Sequence, residues 1–99
     1  MSPNVAIDRV QLAGFCERHG IRRLAVFGSV LRDDFAPHSD IDVLVEFEPG
    51  RTPGLAFFAM QDELSGLFHR AVDLHTPASL SRYFRAQVLA EAEDQYVAA

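Results

Sequence analysis

Residues 27–45, FGSVLRDDFAPHSDIDVLV, decide how the rest of the chain is read. Upstream, Leu24, Val26 and their neighbours form a short apolar run ending on Gly28, the pattern of a buried strand. SVLRDD then has the length of a short helix, and APHS, with its proline and polar residues, is a turn. DIDVLVEFE is the clearest strand, since Ile41, Val43, Val45 and Phe47 alternate with Asp40, Asp42, Leu44 and Glu46.

Working outward, the spacing of Ile7, Val10 and Gly14 or Phe15 predicts a first helix from Val5 to His19. Ser2-Pro3 or Asn4 is positioned to cap it and Gly20 to end it. PGRTPG is a loop, with Thr52-Pro53 suited to starting a helix. LAFFAMQDELSGLFH then reads as a helix with Leu55, Phe58, Leu64, Leu67 and Phe68 on or near one face. AVDLHT is a third short strand. PASLSRYFRAQVLAEAE is a helical tail with a break near Ser81, and Tyr96 and Val97 suit a final extended piece. Helices alternating with strands predict a layered α/β or α+β domain with a small sheet, a single domain over 1–99. Strand order and direction are not legible from this pattern.

Composition bounds the function. The chain has 99 residues, a formal net charge of −5 and nine basic residues, so unspecific nucleic-acid binding, which needs Lys and Arg against phosphates, is a poor fit. The nearest basic cluster, Arg18, His19, Arg22 and Arg23, reads first as a solvated face. The single cysteine, Cys16, excludes a disulfide framework and a multi-cysteine zinc site, and its helical setting suggests core packing. No segment approaches the roughly 18 apolar residues of a membrane span, and Asn4, Asp8 and Arg9 interrupt any signal-like run, so a cytoplasmic location is expected. So small a domain has a thin stability margin, which an oligomer or partner would supplement.

Three features carry chemistry. Gly28-Ser29 follows a strand and opens a helical segment. Glycine lets the backbone approach a phosphate, and the unpaired N–H groups of a helix start attract anions. Asp40-Ile41-Asp42 places two carboxylates on one face of a strand, where their repulsion calls for a cation between them. Mg²⁺ suits such a pair, taking one or two carboxylates plus substrate phosphates. Asp73 projects between Val72 and Leu74 from the later strand; beside the first two it would complete a site for two metal ions. Singly, each has an ordinary alternative: a Gly-Ser turn, a turn-capping and a solvated aspartate, a surface aspartate.

Taken together, Gly28-Ser29-x-x-Arg32, Ser39-Asp40-Ile41-Asp42 and Val72-Asp73-Leu74 resemble the minimal nucleotidyltransferases of the DNA polymerase β superfamily, over about residues 21–96. The resemblance implies a small mixed sheet flanked by helices, the nucleotidyltransferase fold. It implies triphosphate binding by Gly28 and Ser29, with Arg32 on phosphate or bracing the loop and Ser39 supporting the turn. It further implies two Mg²⁺ ions held by Asp40, Asp42 and Asp73 as metal ligands and catalytic residues, and ATP as substrate. Small members of this family are often antitoxins whose partner is a HEPN-type ribonuclease toxin, some silencing it by transferring AMP to a tyrosine. Asp33 departs from the family pattern, which commonly has Gly there. The resemblance therefore implies an adenylyl-transferring antitoxin, possible in a hetero-oligomer with its toxin, with two alternatives: neutralisation by contact without catalysis, or a nucleotide-binding subunit whose partner completes the acceptor site.

Other residues are less telling. His19, His38, His69 and His75 have no zinc-motif spacing. His38 reads as an exposed turn residue. His75 reads first as a strand-end residue, although its place two beyond Asp73 gives it the same face. Phe57 and Phe58 are adjacent, so they cannot both face one core on a helix; Tyr83 and Phe84 pose the same question.

Overall fold

The structure, a computed structural model, describes residues 7–31 and 40–98. Three helices and a four-stranded mixed sheet alternate along the chain. They are α1 (Arg9–His19), β1 (Ile21–Phe27), β2 (Ile41–Phe47), α2 (Ala56–Phe68), β3 (Val72–His75), α3 (Arg82–Glu91) and β4 (Glu93–Val97). A 3-10 turn, Gly28–Leu31, follows β1, and another, Pro77–Ser79, follows β3. The sheet order is β3-β2-β1-β4; β1 is antiparallel to β2 and β4, and β2 is parallel to β3. A parallel pair requires a crossover, and α2 supplies it. This is the α+β architecture with a small mixed sheet that the resemblance implied.

The core lies between one sheet face and two helices. Leu24 and Val26 of β1, Ile41, Val43 and Val45 of β2, and Val72 and Leu74 of β3 pack with Leu12, Phe15 and Cys16 of α1 and Met60, Leu64 and Phe68 of α2. Each such side chain, fully buried, contributes about 1.5–3 kcal/mol. Burial pushes the Cys16 thiol up to about 12, so it stays a neutral packing group. The opposite face of β1 and β2 alternates Arg23, Ala25 and Phe27 with Glu46, Leu44 and Asp42, and Ala25 and Leu44 are buried there too. This second face carries the charged chemistry.

Several expected boundaries move. The first helix starts at Arg9 because the Asp8 carboxylate accepts from the N–H groups of Val10 and Gln11 at 2.8 and 3.2 Å; the caps expected at Ser2-Pro3 or Asn4 lie outside the described residues. Its buried stripe is Leu12, Phe15 and Cys16, and Val10 faces solvent. Gly20, at φ 67, ends the helix as expected. On α2 the stripe is Met60, Leu64 and Phe68, four apart, with Phe57 and Leu67 flanking it. Leu55 and Phe58, expected on that face, are exposed, since a stripe fixed on Met60 turns them outward. Of the adjacent pair, Phe57 therefore meets the core and Phe58 does not. The tail breaks at Ser81, which caps α3, and its end is a full strand rather than two extended residues. β4 docks on β1, with the Arg9 guanidinium donating to the Gln95 carbonyl at 2.9 Å. No helix among the described residues is long and apolar enough to cross a membrane.

Candidate active site at the start of the parallel strand pair

β2 and β3 bring Asp42 and Asp73 side by side, for the two are register partners in the parallel ladder. The Ile41 N–H donates to the Ala71 carbonyl at 2.9 Å, which fixes the two strand starts against one another. β3 is an edge strand, and α2 satisfies its outward N–H groups: Val72 donates to Ser65 Oγ at 3.0 Å and Leu74 to Gln61 Oε1 at 2.9 Å. These bonds bracket Asp73, and they protect the edge from pairing with another strand. Gln61 and Ser65 thereby position the site although neither carries a motif; they were invisible in the sequence because their partners are backbone groups of a distant strand.

Asp40 immediately precedes β2 with its side chain exposed, and its charge reaches Asp42. The strand starts one residue later than the alternation implied, so Asp40 lies on its threshold. Burial holds the Asp42 carboxyl above the ordinary aspartate range; the neighbouring His75 opposes this, and the charges of Asp73 and Asp40 reinforce it. His75, read first as a strand-end residue, belongs to the cluster: its Nε2 stands 3.3 Å from Asp73 Oδ2 and 3.7 Å from Asp42 Oδ1.

Gly28 approaches from β1, at φ 77. A Cβ added there would stand 2.5 Å from Asp42 Oδ2, so the turn can lie this close to the carboxylate only as glycine. Beside it opens a cleft of about 460 Å³ lined by Gly28, Leu31, Gln87, Glu91 and Glu93. Arg32, Asp33, His38 and Ser39, like the Ser29 side chain, lie outside the described residues.

One ligand atom each from Asp42, Asp73 and His75 lie within 4.8 Å of one another. Two carboxylates and an imidazole are a donor set that fits a divalent cation.

The nucleotidyltransferase domain family matches residues 9–95. The protein adenylyltransferase MntA of Thermococcus cleftensis is 38% identical over 76 residues, 76% of this chain and 75% of that one. A solved structure provisionally assigned as a minimal nucleotidyltransferase superposes with a TM-score of 0.69 at 42% identity, covering 85% of each chain. The fold is shared with a chain of the complex between the tri-AMPylated HEPN toxin of Shewanella oneidensis and its MNT antitoxin. That match has a TM-score of 0.63 at 17% identity and covers 91% of this chain and 70% of that one. With the family match spanning nearly the whole chain, this protein belongs to the nucleotidyltransferase domain family.

Proposed function

We propose that this protein transfers AMP from ATP to a hydroxyl of a partner protein, a HEPN-type toxin that it neutralises in the cytoplasm. The observation that carries the chemistry is the convergence of Asp42 and Asp73 beside the Gly28 turn. The similarity to a protein adenylyltransferase supports AMP and a protein acceptor, and the fold shared with a chain of a HEPN toxin–MNT antitoxin complex supports the partner.

In this reading Asp40, Asp42 and Asp73 hold Mg²⁺, two ions in the full site. Bound there, the metal supplies positive charge to the triphosphate and to the attacking oxygen. Gly28 and Ser29 give the phosphates close backbone approach, and Arg32 and Ser39 are assigned to nucleotide binding with them. The cleft flanked by Gln87 and Glu91 has a volume suited to the rest of the nucleotide. Asp73, the more exposed carboxylate, faces the acceptor and takes its hydroxyl proton. The acceptor oxygen then bonds the α-phosphorus, the bond from that phosphorus to the bridging oxygen breaks, and pyrophosphate leaves.

The test is the intact mass of the partner toxin after incubation with this protein, ATP and Mg²⁺. The expected result is a gain in AMP units. Asp42→Asn should reduce transfer by about 10³-fold, since a cation's charge stabilisation is worth several kcal/mol and each 1.36 kcal/mol is tenfold. Transfer at the normal rate by that variant would remove Asp42 from the mechanism. Full rescue from toxicity without any mass gain would instead establish neutralisation by contact.

A further inference from the structure

His75 is aimed at the carboxylates by more than its own strand. β3 presents Asp73 and His75 on one face because side chains two apart in a strand point the same way. The ladder sets Asp42 opposite Asp73 and Leu44 opposite His75, so the imidazole leans over both carboxylates. Phe27, which is paired with Asp42 across β1 and β2, meets the His75 ring edge-on, with centroids 5.4 Å apart and planes at 60°. The ring is thus held from one side by an aromatic neighbour while Nε2 points at the space the carboxylates share.

That nitrogen changes what the site prefers. Carboxylates alone form a hard oxygen site, which suits Mg²⁺. An imidazole donor favours first-row transition cations over Mg²⁺, which gains little from nitrogen. We propose that His75 is a direct nitrogen ligand to the cation held by Asp42 and Asp73, and that it biases this site toward Mn²⁺-like cations over Mg²⁺. The inference rests on the reading of Asp42 and Asp73 as metal ligands. It departs from an all-carboxylate site, and it makes His75 a determinant of metal selectivity.

The experiment titrates the full chain with Mn²⁺ alone, following free Mn²⁺ by electron paramagnetic resonance and its bound neighbours by electron spin-echo modulation. Wild-type protein should show ¹⁴N coupling that converts to ¹⁵N when the histidines are ¹⁵N-labelled. His75→Gln should lose that coupling and lower the affinity for Mn²⁺ by about tenfold or more. Its affinity for Mg²⁺, measured by competition, should stay within about threefold, so the Mn²⁺-to-Mg²⁺ ratio collapses. Wild-type Mn²⁺ binding without nitrogen coupling overturns the assignment, as does an unchanged ratio in His75→Gln. Asp42→Asn and Asp73→Asn separate the two layers. If both lose Mn²⁺ while the wild type shows no nitrogen coupling, only His75 is wrongly assigned. If both bind as tightly as the wild type, the carboxylate reading falls, and the proposal with it.

Discussion

The same sheet face carries two charge clusters, at opposite ends of β2, and they are solved differently. At the far end, Glu46 and Asp94 are matched within the fold: Arg23 donates to Asp94 at 2.5 Å and to Glu46 at 3.0 Å, and Arg22 reaches Glu46 at 3.2 Å. The guanidinium of Arg23 is held above its usual pKa, chiefly by the hydrogen bond to Asp94. At the near end Asp42 and Asp73 gather with His75, while Asp40, at the strand's threshold, reaches Asp42 only through its charge; burial of Asp42 opposes its ionisation. Buried Leu44 separates the clusters, four residues of strand spanning about 13 Å from Asp42 to Glu46. The difference teaches how to tell structural charge from functional charge. The first cluster is closed, with guanidinium forks already filling the carboxylates. The second leaves net negative charge beside the Gly28 turn, and a cation from outside is the natural complement.

After the loss expected of Asp42→Asn, the largest effect tests how tightly the Gly28 turn is tied to the open cluster. Gly28→Ala places a methyl against the Asp42 carboxylate and forces alanine to φ 77. Gly50 has the same φ of 77 with nothing within 4 Å, so Gly50→Ala carries the backbone strain without the clash. Gly50→Ala should lose roughly 1–2 kcal/mol of stability from the strain alone, and Gly28→Ala at least as much. Only Gly28→Ala should lose about 10²-fold or more in AMP transfer, the size of effect expected from a 1 Å misplacement in a site. Equal transfer rates for the two variants would break the link between the turn and Asp42.

An intermediate effect is expected at the closed end. Arg23→Gln leaves Glu46 and Asp94 without their shared partner in a partly buried setting. The cost should fall between the ~1 kcal/mol of exposed pairs and the ~3–5 kcal/mol of broken buried ones. At about 4–8 °C per kcal/mol for a domain this size, thermal denaturation should show a drop near 10 °C. AMP transfer by the remaining folded protein should stay within about threefold, since Arg22, Arg23, Glu46 and Asp94 are not among the residues lining the cleft. A fall in activity larger than the fall in folded population would show that the clusters are coupled through β2.

The two ends were unequally legible in the sequence. Asp42 and Asp73 were legible only in combination, since each alone has an ordinary reading and it is the ordered set of Gly28-Ser29, Asp40-Ile41-Asp42 and Asp73 that marks them. Their adjacency was not legible, because parallel pairing of β2 with β3 is a property of the crossover and not of either strand's pattern. Arg22 and Arg23 read as a solvated basic face, whereas Arg23 is committed to two carboxylates, one of them from a strand that the composition hardly marks. β4, EDQYV, is polar at three of its five positions, so only Tyr96 and Val97 read as extended and Glu93 reads as part of the helical tail; the whole segment is a strand because the β1 edge needs hydrogen-bond partners. Val10 and Leu55 were expected inward, but which stripe faces the core depends on where the helix is capped.

The smallest effect is the one in which the two clusters should respond with opposite sign. The Asp42 carboxyl is raised above its ordinary 3.8 by burial, so the folded state favours its protonated form more than the unfolded state does. That contribution to stability is complete below the unfolded pKa and is lost as pH rises through the folded pKa. At neutral pH the metal-free protein therefore carries an ionised Asp42 at a cost, and Asp42→Asn, neutral and of the same shape, removes that cost. Thermal denaturation in EDTA should show the variant a few degrees more stable than the wild type at pH 7, with the gap closing as pH falls below about 4. Arg23→Gln under the same conditions should be less stable at pH 7, because it opens a closed cluster rather than relieving an open one. A lower Tm for Asp42→Asn at pH 7 would mean that His75 already compensates the carboxylates within the fold. The near end would then be as closed as the far one, and the case for an external cation would lose its electrostatic basis.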